Sequence, residues 1–218
     1  PRSTDAAGAW GGFRHGLGWA LTVLRCGWTR GASVFGVVTK HAGDMSPPVA
    51  MIQAKFGVIT SIGREHLEFF GDLNGVAEEE GWLAELLPAD GKLFINGDTN
   101  HVDEIARRCR AAVVRVGFGD KNDWRISNIR LDERGLSFTV AAPDQNFSGD
   151  YRVNLLGRHQ AANATLAIAV GAQVGLSADE IRRARAPRQP PEVPPPVSGV
   201  TGGKIPTRDI VVTEVAAT

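Results

Sequence analysis

The residues with chemical potential fall in three short stretches. In TSIGREHLEFFG, residues 60–71, His66 stands between Glu65 and Glu68, directly after the apolar run FGVI. An imidazole there can ligate a metal or move a proton near neutral pH; the plainer alternative is a polar turn residue. AEEEG places Glu78, Glu79 and Glu80 together, carboxylates for a cation or simply a solvated helix face. In LLGRHQAANA the amide of Asn163 can donate and accept at once, which suits the edge of a nucleobase, or can cap a helix. No residue is assigned a catalytic step.

These residues need elements to hold them. SVFGVVT (33–39), KFGVITSI (55–62), GKLFINGD (91–98) and AAVVRVGFG (111–119) each read as a buried strand between turn residues. Between them, LNGVAEEEGWLAELLP (73–88) and NHVDEIARRCR (100–110) carry helical spacing. The prolines of SPPVAMIQ begin a helix or a turn. This β-α-β-α alternation predicts an α/β fold with a mostly parallel, Rossmann-like sheet and flanking helices. His66 then follows the carboxyl end of a strand, where open α/β sheets bind ligands.

Beyond residue 120 the texture changes. WRISNIRLDERGLSFTVAAP and GDYRVNLLG alternate polar and apolar residues, predicting a small antiparallel hairpin subdomain. AANATLAIAVGAQVG (161–175) reads as a small-residue helix, and SADEIRRARA begins with a capping box of Ser177 and Glu180. From Pro187 the chain is proline-rich, as in a linker, and the possible strand in KIPTRDIVVTEVAAT has no obvious partner.

Composition narrows the function classes. The 24 basic and 24 acidic side chains balance, which argues against a nucleic-acid groove. Hydrophobic residues make up 43% of the 218, enough for a packed core. Cys26 and Cys109 lack metal-type spacing and are expected as free thiols, with a single disulfide as the alternative. Without an 18-residue apolar run or a signal peptide, no membrane span and a cytoplasmic location are expected. The chain begins at Pro1, which suggests a fragment.

Three segments together resemble the central domain of the Mur ligases, in the branch that joins D-alanyl-D-alanine to the muramoyl tripeptide. They are residues 56–98, VVRVGFGD (113–120) and LLGRHQAANATLAIAVGAQVGLSADEI (155–181). They follow the family order T-x-I-x-x-x-H-L-E-x-F-G, N-x-D, then G-x-H-x-x-x-N-A. The resemblance implies ATP and Mg2+ as cofactors, with an acyl phosphate formed on a carboxylate and attacked by an amine. It implies a metal ligand at His66 and an adenine contact at Asn163, with UDP-muramoyl-tripeptide and D-alanyl-D-alanine as the small-molecule partners of the intact enzyme. Asn96 and Asp98, at N-x-D, are expected to shape a turn.

Several positions depart from the family pattern. No strand followed by G-x-x-G-K-T/S precedes His66, and SGVTGGKIPT (198–207) has the wrong spacing for a phosphate loop. Gly36 stands where the family has a metal-bridging glutamate. Glu80 stands where it has a lysine, often carbamylated, fourteen residues after the histidine. A glutamate presents a carboxylate on a shorter arm, so Glu80 is a second expected metal ligand, with Glu79 or a water as substitutes. Arg14, His15 and Ala20 replace family residues upstream.

The expected organisation is a degraded N-terminal part (1–32), a central domain (33–186) and a linker with an irregular tail (187–218), truncated or altered at both ends. The expected function is the ATP-binding domain of a peptidoglycan-precursor ligase, inactive by itself. The alternatives are a non-catalytic module of the same fold or a ligase like the folate polyglutamylating enzymes.

Overall fold

The structure, a computed structural model, describes residues 6–8, 33–37, 39, 41–63, 70–133, 135–183 and 209–213. The chain forms two compact units, Pro1–Arg115 with Lys204–Thr218, and Val116–Gly203.

In the first unit the strands are β1 (Ala6–Gly8), β2 (Ser33–Val37), β3 (Phe56–Ile59), β4 (Lys92–Asn96) and β5 (Ala112–Gly117), the last running on into the second unit. Helices α1 (Ser46–Ile52), α2 (Leu73–Leu86) and α3 (Val102–Arg108) connect them. Pro47 and Pro48 start α1, where the missing N–H groups cost nothing. Asp72 caps α2 by accepting from Gly75 N at 2.9 Å, which holds its carboxyl below the ordinary aspartate value. At Gly75 a side chain would run into the Phe70 carbonyl, so the tight entry into the helix needs glycine.

β3 is buried along its whole length, as its unbroken apolar sequence requires. Its Gly57 lies against Leu83 and Leu87, where an added Cβ would sit 3.1 Å from both side chains. One hydrophobic core gathers Phe35 and Val37 from β2, Val49 and Ile52 from α1, Leu83 from α2 and Ile95 from β4. Phe56 and Phe94 meet edge to face, with centroids 6.3 Å apart.

The second unit contains β6 (Trp124–Asp132), β7 (Gly135–Ala141) and β8 (Gly149–Val153), with helices α4 (Arg158–Gln173) and α5 (Ala178–Arg183). β6, β7 and β8 are antiparallel, so the expected hairpin is a three-stranded meander. Its inner face carries Trp124, Ile126, Leu136, Phe138, Val140 and Tyr151, and α4 packs on β6 and β7. Alanines 161, 162 and 169 of α4 are buried, and their small side chains permit that close approach. The capping box before α5 is formed: Ser177 N donates to Glu180 Oε2 at 2.9 Å and Glu180 N to Ser177 Oγ at 3.3 Å.

The tail strand has two partners. β9 (Asp209–Thr213) lies in the first unit between β2 and β3, parallel to both, so this part of the tail is not irregular. The six-stranded order is β1-β2-β9-β3-β4-β5. The fold is thus α/β, with a mostly parallel sheet, flanking helices and a small antiparallel part. Among the described residues, no helix is long and apolar enough to cross a membrane. Cys109 is a free, half-buried thiol whose pKa burial raises; Cys26 lies outside the described residues.

Candidate functional site

The three adjacent glutamates of α2 have different surroundings. Glu78 is exposed, whereas Glu79 and Glu80 are buried, at 4% and 3% exposure. Glu80 is turned toward the segment after β2, where Thr39 Oγ1 donates to its Oε1 at 3.4 Å. Thr39 is itself buried, two residues beyond the carboxyl end of β2. Thr60, directly after the carboxyl end of β3, is buried too. A carboxylate and two hydroxyl-bearing residues therefore belong to the strand-end region that suits polar ligands in open α/β sheets.

Glu79 has a different task. Its Oε2 accepts from Gly43 N at 2.8 Å and its Oε1 from Met45 N at 2.6 Å. One buried carboxylate thereby fixes the turn between β2 and α1, which Gly43 enters at φ 92°. With both oxygens engaged by backbone amides, Glu79 is poorly placed to replace a metal ligand. Sequence reasoning missed this clamp, although a signal was present. Val76, Glu79, Leu83 and Leu87 follow helical spacing, so Glu79 falls on the apolar face rather than on a solvated one.

Next to this region the N-x-D turn is built as expected. Asp98 N donates to Asn96 Oδ1 at 3.1 Å, an Asx turn. Thr99 extends it: its Oγ1 accepts from Ile62 N at 2.8 Å, tying the turn after β4 to the segment leading toward His66. His66 itself, with Arg64–Phe69, lies outside the described residues, as do Arg14, His15, Ala20 and the SGVTGGKIPT stretch. Gly36, in the middle of β2, is exposed, and an added Cβ would meet nothing within 4 Å among the described residues.

In the second unit Asn163 lies on α4, half-buried. The N-cap is Gly157, with φ 105°, so Asn163 is six residues into the helix and does not cap it. Its side-chain amide makes no hydrogen bond among the described residues. Arg158 opens the same helix and lies over the Phe118 ring, 4.1 Å from its centroid. At Gly157 the φ of 105° favours glycine, and an added Cβ would also meet the His159 ring at 2.6 Å.

Magnesium, implied by the resemblance, can be tested against these side chains. Glu80 supplies one buried carboxylate and Gly36 none. Among the described residues no group of three or more His, Cys, Asp or Glu side chains is placed to hold a metal ion. These residues alone do not make a magnesium site.

Comparison with known proteins agrees with the motif order. Residues 32–171 match the model of the Mur ligase middle domain. The UDP-N-acetylmuramoyl-tripeptide--D-alanyl-D-alanine ligase of Mycobacterium bovis is 29% identical over 175 residues, 80% of this chain and 34% of the relative. The chain thus spans about a third of the length of that relative. A crystal structure of MurF from Acinetobacter baumannii superposes with a TM-score of 0.74 at 20% identity, over 86% of this chain and 42% of that one. The Thermotoga maritima MurF ligase, crystallised in complex with ADP, gives 0.69 at 15% identity, over 84% and 43%. With the middle-domain model matching well over half of its residues, the chain belongs to the Mur ligase family.

Proposed function

We propose that this chain is the central, ATP-binding part of a ligase of peptidoglycan-precursor synthesis. In the intact enzyme it joins D-alanyl-D-alanine to UDP-muramoyl-tripeptide through an acyl phosphate. The observation that carries this reading is Asn163, whose half-buried amide projects from α4 without a partner among the described residues, within the G-x-H-x-x-x-N-A motif. It is assigned to the adenine edge, where one donor and one acceptor meet complementary groups. The ADP in the Thermotoga relative supports the ligand class. His66 and Glu80 are assigned as ligands of Mg2+, and Glu80 supports the reading by its burial beside Thr39. The chain alone is expected to form no amide bond, because the motif order lacks a phosphate loop before His66.

The test is isothermal titration of the chain with ATP, with and without Mg2+, alongside Asn163→Ala and His66→Ala. Losing two amide hydrogen bonds costs about 1–3 kcal/mol, so Asn163→Ala should weaken ATP binding about five- to 150-fold. His66→Ala should weaken only the Mg2+-dependent part. ATP binding that neither substitution alters would remove both assignments. Steady turnover of the three natural reactants by the chain alone would refute the expected inactivity.

A second reading, a non-catalytic module of the same scaffold, is favoured by Gly36, which offers a metal ion no side chain. Absence of ATP binding by a folded chain would select it.

A further inference from the structure

β2 and β3 follow one another in the chain but not in the sheet. α1 carries the backbone from one to the other across a gap one strand wide. The strand in that gap comes from 150 residues further on: β9 pairs Ser33–Val37 with Asp209–Thr213 on one side and Phe56–Ile59 with Ile210–Thr213 on the other. Removing it would leave two facing rows of unpaired N–H and C=O groups in the middle of a parallel sheet. Phe35, Val37 and Ile59 beside the gap are buried in the core, so this is an interior position and not a solvated edge. Such a gap takes an extended segment through main-chain hydrogen bonds.

Which chain supplies the strand is set by its tether. Residues 184–208, 25 in number and seven of them proline, separate α5 from β9. Fully extended, that tether reaches roughly 80–90 Å, several times the width of a small domain of about 30 Å. Its length therefore does not confine the strand to its own sheet. Exchange of an identical element between copies costs little when the acceptor contacts are unchanged.

We propose that the gap between β2 and β3 is a strand-acceptor site, and that Asp209–Thr213 of a second copy of this chain occupies it in a strand-exchanged dimer. The chain's own strand competes at an effective concentration on the millimolar scale, so the exchanged form is populated at high chain concentration.

The test uses the full-length chain. Val211→Pro removes a strand amide at a position paired on both sides, and proline is not tolerated in a central strand. In this variant the amides of Phe35 and Val58 should lose hydrogen-exchange protection. A fluorescent peptide of residues 206–216 should then bind one per chain and restore protection, and the same peptide carrying proline should bind at least a hundredfold more weakly. For the unaltered chain, light scattering should detect a dimer near millimolar concentration that excess native peptide dissolves. Full protection in Val211→Pro, or lost protection that the peptide does not restore, overturns the acceptor site. A chain that stays monomeric at every concentration overturns the exchange.

Discussion

Replacing Glu79 by alanine isolates the clamp on the turn between β2 and α1. The Met45 amide is buried, so without its acceptor it costs about 1–3 kcal/mol. The Gly43 amide is part-buried and can be rehydrated, which limits its loss to about 0.5–1.5 kcal/mol. The stem of Glu79 gives up one buried methylene, at about 0.8 kcal/mol. The expected loss is about 2–5 kcal/mol for Glu79→Ala. Glu79→Gln keeps the stem and one acceptor and should lose about 1–2 kcal/mol. Glu78→Ala, one residue earlier and exposed, should stay within about 0.5 kcal/mol. Thermal unfolding orders the three variants, and hydrogen exchange at Gly43 and Met45 reports the turn directly. If Glu79→Ala unfolds with Glu78→Ala and both amides keep their protection, the carboxylate does not hold the turn and the reasoning fails.

Two further outcomes follow from side chains around α2. Gly81→Ala would drive its Cβ into the end of the Arg108 side chain, which donates to Glu78 O at 2.9 Å and to Glu85 Oε2 and lies over Trp82; that flexible arm swings aside at the loss of about 0.5–1.5 kcal/mol, which the gain of about 0.8–1 kcal/mol for alanine over glycine inside a helix offsets, so thermal unfolding should change by no more than about 1 kcal/mol. Asp72, held low mainly by the Gly75 amide, and Asp90, held low mainly by Lys55, both have depressed folded values, so their stabilisation is full above the unfolded aspartate value and is lost as pH falls through the folded one. Unfolding temperatures should therefore fall below about pH 4, and Asp72→Ala should flatten that acid limb; an unchanged slope would remove Asp72 from it.

Most strands and helices were legible because their signals are local. The unbroken FGVI run and the capping box at Ser177 act within a few residues and produced the elements expected, and of the helix or turn that the prolines of SPPVAMIQ allow, the helix formed. The N-x-D turn was legible for the same reason, since an Asx turn needs only Asn96 and Asp98. The glutamates were harder. Composition marks AEEEG as solvated, while helical spacing puts Glu79 and Glu80 against the core. Spacing won because two backbone amides and Thr39 supply what buried carboxylates require.

The position of β9 was not legible, for a physical reason. DIVVT is apolar enough to be a strand, but a parallel strand takes its partners from distant segments and carries no turn that names them. The clue lay elsewhere, in the topology around α1. Nothing in SPPVAMIQ says whether the crossover it forms returns the chain to the adjacent place in the sheet or to the one beyond it. Here it skips one place, and whichever segment fills that place controls the backbone pairing of both β2 and β3. Thr39 lies two residues beyond β2 and Thr60 directly follows β3, so the candidate site at their carboxyl ends depends on a strand that sequence order puts last. A substitution in residues 209–213 that loosens the pairing should therefore disturb the surroundings of Glu80 as surely as one in α2.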